Sequence, residues 1–187
     1  KILLLEDDLS LINGLSFAFK KQGFELVVAR TLKEADSLWV DGKYDLLVLD
    51  VSLPDGTGFE FCKKVRQVSK VPIIFLTAAD EEMDIIMGLD IGGDDYITKP
   101  FNPLELTARV KTQLRRYTRY NTVGFAGEQD EEIDIRGMHI SKASHKCTLN
   151  GQEVAFTPLE FDIVWYLAKR QGNVVSSEEL FEAVWKE

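Results

Sequence analysis

Five short strand-like runs, at residues 2–5, 25–29, 46–49, 72–76 and 96–98, recur through residues 1–116 with helix-period segments between them. Residues 10–22 place Leu11, Leu15 and Phe19 at helical spacing, with Ile12 and Ala18 beside them. Ser10 is the expected N-cap, and Gly23 is the expected glycine beyond the last turn. Further helices are expected at 31–40 (capped by Thr31), 59–67, 83–89 (weakly amphipathic) and 103–116, where Pro103 suits the first helical position. Unbroken apolar strands joined by helices bury both faces of a sheet, which requires parallel strands under two helical layers. The expectation is a single α/β domain of five βα units over residues 1–116.

The pattern then breaks. Arg115, Arg116 and Arg119 give way to Gly124, Gly127 and an acidic stretch at 128–132, so residues 117–130 are expected to be a linker. Residues 131–187 follow a different grammar, with short strand-like pieces over 133–154 and a hairpin signal at Asn150-Gly151. Thr157-Pro158-Leu159-Glu160 combines an N-cap, a first-turn proline and a capping-box glutamate. Phe161, Val164, Trp165 and Ala168 follow on one face as far as Gly172. Ser176 or Ser177 is the expected cap of a last helix carrying Leu180, Phe181, Val184 and Trp185. So many aromatics on a closing helix lead to the expectation that this second domain is truncated. No internal repeat or low-complexity tract is found.

Composition narrows the function classes. No apolar stretch approaches the ~20 residues of a membrane helix, and the start lacks the layout of a signal peptide. Because the chain opens on Lys1 and not on Met, a few initial residues are expected to be missing. Cys62 and Cys147 are too few for a disulfide framework, which points to a reducing, cytoplasmic setting. A net charge of −9 argues against a strong nucleic-acid surface on these residues alone.

Asp50 closes the run Tyr44-Asp45-Leu46-Leu47-Val48-Leu49-Asp50. Glu6-Asp7-Asp8, Thr77 and Lys99 close three other runs in the same way. Open α/β sheets bind ligands at the carboxyl ends of their strands, so these groups belong to one expected pocket. Clustered carboxylates bind a hard divalent cation, and Mg²⁺ with oxygen ligands suits them. A carboxylate beside such an ion can act as a nucleophile toward phosphorus, while a lysine and a hydroxyl bind the remaining phosphoryl oxygens. Asp50, alone on the central strand, is the expected nucleophile. Taken singly, each residue is more often solvated, and Asp7 or Asp8 would simply cap a helix. Four clusters at successive strand ends outweigh that simpler explanation.

These motifs resemble the receiver domain of two-component response regulators. The resemblance rests on Leu5-Glu6-Asp7-Asp8, on Leu49-Asp50 with Leu53-Pro54-Asp55-Gly56, and on Phe75-Leu76-Thr77-Ala78. The segment from Gly92-Gly93-Asp94-Asp95-Tyr96 through Ile97-Thr98-Lys99-Pro100-Phe101 completes it. It implies a flavodoxin-like five-stranded parallel sheet of order 2-1-3-4-5. It also implies phosphorylation of Asp50 by a sensor histidine kinase, with Mg²⁺ held near Glu6 by Asp7, Asp50 and the Ser52 backbone carbonyl. Thr77 and Lys99 would contact the phosphoryl group, Lys99–Pro100 would be cis, and Tyr96 would be the aromatic that turns inward as Thr77 moves. Residues 131–187 resemble the winged-helix output domain of the OmpR/PhoB subfamily, through Phe156-Thr157-Pro158-Leu159-Glu160-Phe161, residues 172–180 and Ala183-Val184-Trp185. By that resemblance the chain holds the first part of an α+β winged helix, and the DNA-reading helix and wing follow Trp185. DNA would be the target of the full protein. Segments 109–117 and 172–180 are similar to regulators of glycopeptide resistance.

In this subfamily phosphorylated receivers form homodimers. The resemblance places Ile86, Leu89 and Thr107 at the apolar centre, with Asp95–Arg109 and Asp90–Lys111 as pairs between subunits. Ile85 stands where a basic partner for Glu105 is usual, so one such pair is missing. Two other functions fit part of the pattern. A haloacid-dehalogenase-like phosphatase uses a similar residue set, but its nucleophile ends the first strand with an Asp two residues on, where this chain has Ser52. A signalling module acting by protein binding alone is the other. Cys62, Cys147, His139 and His145 carry no assigned role.

Overall fold

A computed structural model describes residues 1–78, 91–121 (119–121 by backbone alone) and 131–185. The chain forms two compact units, Lys1–Leu114 and Arg115–Glu187. In the first unit, β1 (Ile2–Leu5), β2 (Leu26–Ala29), β3 (Leu46–Asp50), β6 (Ile73–Ala78) and β7 (Asp95–Lys99) form one parallel sheet of order β2-β1-β3-β6-β7. This is the expected 2-1-3-4-5 arrangement. The short strands β4 (Ser52–Leu53) and β5 (Gly56–Thr57) pair as a hairpin directly after β3.

Alternate strand residues feed opposite faces, as the pleat requires. Leu3, Leu5, Leu47, Leu49, Ile73 and Phe75 pack under α2 (Leu32–Leu38) and α3 (Gly58–Arg66), where Phe59 meets Phe75 edge-on at 5.1 Å. Ile2, Leu4, Leu46, Val48, Ile74, Leu76 and Ile97 pack under α1 (Leu9–Lys21) and α4 (Pro103–Asn121). The cap of α1 differs from expectation: Asp8, not Ser10, closes it, accepting from the Ser10 and Leu11 backbone N–H groups. A carboxylate beside the positive end of the helix dipole outcompetes a hydroxyl two residues on. Helix α4 also runs past the expected end at 116 to Asn121, because no glycine or proline interrupts it before Gly124. The helix expected at 83–89 lies outside the described residues.

The second unit opens with an antiparallel sheet of β8 (Glu132–Ile135), β9 (Met138–Ser141), β10 (Lys146–Leu149) and β11 (Gln152–Val154). Asn150 (φ 51°) and Gly151 (φ 84°) make the left-handed turn that joins β10 to β11. Thr157 and Glu160 complete the expected capping box of α5 (Pro158–Lys169), whose Phe161, Trp165 and Ala168 bury against Ile140 and Cys147. Ser176 caps α6 (Ser177–Trp185) by accepting from the Glu179 N–H. Only Val184 of that helix is buried among the described residues. No helix among the described residues is long and apolar enough to cross a membrane.

Candidate functional site

Strand register assembles the site. Leu5 and Leu49 are paired partners, so the next residues, Glu6 and Asp50, leave the sheet side by side. Asp50 pairs with Leu76, Thr77 with Thr98, and Ala78 with Lys99, which brings Thr77 and Lys99 to the same edge. Glu6 and Thr77 are fully buried and Asp50 is 5% exposed, while Asp7 is the most accessible acid of the group. One donor atom each from Glu6, Asp7 and Asp50 lies within 4.8 Å of the others. The Lys99 ammonium donates to Glu6 Oε2 and to Asp50 Oδ2, each at 2.8 Å. The Ser52 N–H donates to Asp50 Oδ1 at 3.3 Å. The Lys99–Pro100 bond is cis.

Two pKa shifts follow from this packing. Burial raises Glu6 above the ordinary carboxylate range, against the lowering pull of Lys99. Burial opposes the Lys99 ammonium, but its bonds to Asp50 and Glu6 outweigh that and hold it above the usual lysine value. Three carboxylates at this spacing repel, by roughly 3 kcal/mol per pair at the effective dielectric of a protein surface. Lys99 offsets one charge and leaves two, the deficit a divalent cation fills. The donors are all oxygens, as Mg²⁺ requires. The buried Thr77 Oγ1 finds no hydrogen-bond partner among the described residues and stands at the same edge. A buried orphan hydroxyl is costly unless a ligand engages it. The residues present therefore fit both a divalent cation and an oxyanion.

The other expected residues fall differently. Tyr96 is half-buried and packs on the Phe75 face of the sheet. Arg109 pairs with Asp95 within one chain, at 2.9 and 3.1 Å, and also bonds Glu105 at 3.1 Å. Lys111 donates to Gln22 Oε1 at 2.7 Å. Thr107, expected on an apolar pairing face, is 4% exposed and donates to the Pro103 carbonyl, so it is part of the unit's interior. The helical period accounts for this: Leu106 and Val110 face the sheet, and Thr107 borders that stripe. Ile85, Ile86, Leu89 and Asp90 lie outside the described residues.

Two residues at the site had no role in the sequence reading: Asp55, quoted in a motif, and Gly58, not singled out at all. Gly58 packs so tightly that a Cβ there would stand 2.2 Å from the Asp50 carbonyl oxygen. Asp55 accepts from the Leu32 and Lys33 N–H groups at 2.9 and 3.3 Å. Its Asp-Gly pairing signalled only a turn.

A parallel sheet of this order, with an acid trio, a hydroxyl and a lysine at its carboxyl edge, defines a receiver-type fold. The chain belongs to the response-regulator family. The response regulator receiver domain matches residues 2–111, and the C-terminal domain of transcriptional regulatory proteins matches residues 151–187. It is 46% identical to the regulatory protein VanRc of Enterococcus gallinarum over 187 residues, covering all of this chain and 80% of that one. It is 42% identical to the regulatory protein VanR of Enterococcus faecium over 186 residues, covering 99% and 79%. Among solved structures it resembles DrrB, an OmpR/PhoB homolog of Thermotoga maritima, with TM-score 0.57, 30% identity and coverage of 100% and 80%. The protein is a two-component response regulator with a receiver and a DNA-binding, transcription-regulating domain. The matching relatives are regulators and not enzymes, so the phosphatase alternative is set aside.

Proposed function

We propose that a sensor histidine kinase phosphorylates Asp50 and that this controls homodimerisation and DNA binding. The observation that carries the reading is one strand edge uniting a carboxylate, an orphan hydroxyl and a paired amine with two further acids. An Oδ of Asp50 forms the new O–P bond as the P–N bond of the donor phosphohistidine breaks, and the imidazole departs with a proton. The Lys99 ammonium moves from the Asp50 carboxylate to a phosphoryl oxygen, and Thr77 Oγ1 donates to another. Asp7, Asp50 and the Ser52 backbone carbonyl, with Glu6 beside them, would hold Mg²⁺. When bound, Mg²⁺ neutralises charge on the phosphoryl oxygens. Tyr96 follows Thr77 as the switch aromatic.

The reading assigns 1–116 to the receiver, 117–130 to the connection and 131–187 to the winged-helix output domain, acting on DNA in the cytoplasm. The homodimer face combines Glu105, Arg109 and Lys111 of α4 with Ile86, Leu89 and Asp90. Since Asp95 and Arg109 pair within one chain, a pair between subunits requires an exchange of partners. The test is exposure to acetyl phosphate, or to beryllofluoride, with MgCl₂, read by intact mass and by size-exclusion chromatography. Wild type gains one phosphoryl mass and elutes as a dimer, and Asp50→Ala does neither. Equal behaviour of the two proteins ends the proposal.

A further inference from the structure

The hairpin that follows Asp50 carries Ser52 on its first strand and turns at Pro54-Asp55. It is fixed at both ends. At the base, the Gly58 N–H donates to the Val51 carbonyl at 3.0 Å, and Gly58 lies flush against the Asp50 carbonyl. At the tip, both carboxylate oxygens of Asp55 accept from the first turn of α2, the Leu32 N–H at 2.9 Å and the Lys33 N–H at 3.3 Å. Gly56 presses its backbone on the same turn. Its φ is +148°, and a Cβ there would stand 2.5 Å from Leu32 Cδ1. Without the Asp55 bonds, nothing polar in this set ties the tip to the body of the fold, and a two-residue-strand hairpin is marginal by itself.

We infer that Asp55 is a positioning residue for the metal site: it latches the hairpin tip to α2 and so holds the Ser52 backbone carbonyl where a cation at Asp7 and Asp50 needs it. The inference rests on the proposed role of Ser52 as a metal ligand. Asp55 is three residues from Ser52 in sequence and contacts none of the acids in the described hydrogen bonds. Its action is therefore indirect, through the order of the hairpin. Groups that orient metal ligands from outside typically change metal affinity by about 10- to 100-fold when removed.

Asp55 also satisfies N–H groups of α2, so a purely helix-stabilising role has to be separated from positioning. Thr31 provides the comparison: its Oγ1 accepts from the Glu34 N–H at 3.2 Å, capping the same helix without touching the hairpin. The experiment is a MgCl₂ titration of the full 187-residue chain, followed by amide NMR shifts, with thermal melts of each protein without metal. Asp55→Ala should weaken Mg²⁺ binding by about tenfold. Asp55→Asn, which keeps one acceptor oxygen, should lose less, and Thr31→Ala should bind as wild type does. Unchanged affinity in Asp55→Ala overturns the inference. So does an equal loss in Asp55→Ala and Thr31→Ala, which would trace the effect to helix stability. If wild type itself shows no Mg²⁺-dependent shifts, the metal site falls and this inference with it. If wild type binds and Asp55→Ala binds equally well, only the latch falls.

Discussion

Lys99 Nζ sits 2.8 Å from Asp50 Oδ2, and the same ammonium lies 2.8 Å from Glu6 Oε2. One ammonium thus occupies the space between Asp50 and its buried acidic neighbour Glu6. Its side chain is 29% exposed, so it can be drawn outward by an arriving anion without crossing the core. Thr77, whose buried hydroxyl has no hydrogen-bond partner among the described residues, stands at the same strand edge. The resting site is therefore charged and partly unsatisfied, a state that a phosphoryl group would relieve.

Replacing Lys99 by Ala removes a positive charge a few ångströms from the expected cation. Such a charge contributes of order 1–2 kcal/mol against a divalent ion in a water-accessible site. Mg²⁺ affinity is expected to rise by about an order of magnitude, as read by an NMR or calorimetric titration. Phosphorylation of Asp50 by acetyl phosphate persists, while the dimerisation that follows weakens. Mg²⁺ binding that weakens, or dimerisation that is unchanged, would show that Lys99 is not the counter-charge and reporter of this site.

Gly58→Ala tests the base of the hairpin. The new methyl would meet the Asp50 carbonyl oxygen at 2.2 Å, a backbone atom that cannot swing aside. Overpacking of this kind costs about 1–3 kcal/mol, and here the strain falls on the backbone of Asp50 itself. The expected result is a lower urea midpoint together with slower uptake of phosphate from acetyl phosphate. A variant as stable and as reactive as wild type would mean that the contact relaxes freely.

How much of this could be read beforehand depended on the kind of signal. The apolar runs carried the sheet, since Leu46–Asp50 can be buried on both faces only in a parallel layer. Motif residues at strand ends carried Glu6, Asp50, Thr77 and Lys99 into one pocket. The cap of α1 was misplaced because Asp8 had two uses, acid cluster or cap, and spacing alone favoured Ser10. Thr107 was misplaced because a polar side chain bordering a buried stripe can satisfy itself on a backbone carbonyl, here Pro103, and so go inside. Close approaches such as Gly58 against Asp50 leave no mark in periodicity at all.

Arg66 is expected to be the most sensitive charged residue outside the site. It donates to the carbonyls of Gly92 (2.8 Å), Val71 (2.6 Å) and Ser69 (3.3 Å) and to Asp94 Oδ2 (2.9 Å), with its side chain 10% exposed. Asp94 also accepts from the Ile73 N–H, so the pair ties the end of α3 to the starts of β6 and β7. Removing one partner of a buried pair costs about 3–5 kcal/mol. Arg66→Ala should lose about that much in urea unfolding. Arg66→Lys should lose less, because it keeps a positive charge beside Asp94, although one ammonium cannot serve every acceptor that the guanidinium fork bonds. A loss under 1 kcal/mol would place the clasp among weak surface pairs.

Cys62 predicts the alkaline limb of stability. The thiol is fully buried on α3 with its Sγ 3.7 Å from the Ile91 carbonyl, and burial pushes its pKa from 9.0 up to about 11. Between those values the unfolded chain releases the proton and the folded chain keeps it. The unfolded state then binds fewer protons, so stability falls as pH rises. The contribution is fully present below pH 9 and is lost by about pH 11, up to about 2.7 kcal/mol at 1.36 kcal/mol per unit. Cys62→Ala lacks this term, so the stability gap between wild type and variant should narrow over that window in urea unfolding. The native thiol should also resist iodoacetamide at pH 8 until the protein is unfolded. A gap that stays constant with pH, or rapid alkylation of Cys62 in the native chain, would contradict the burial from which the shift arises.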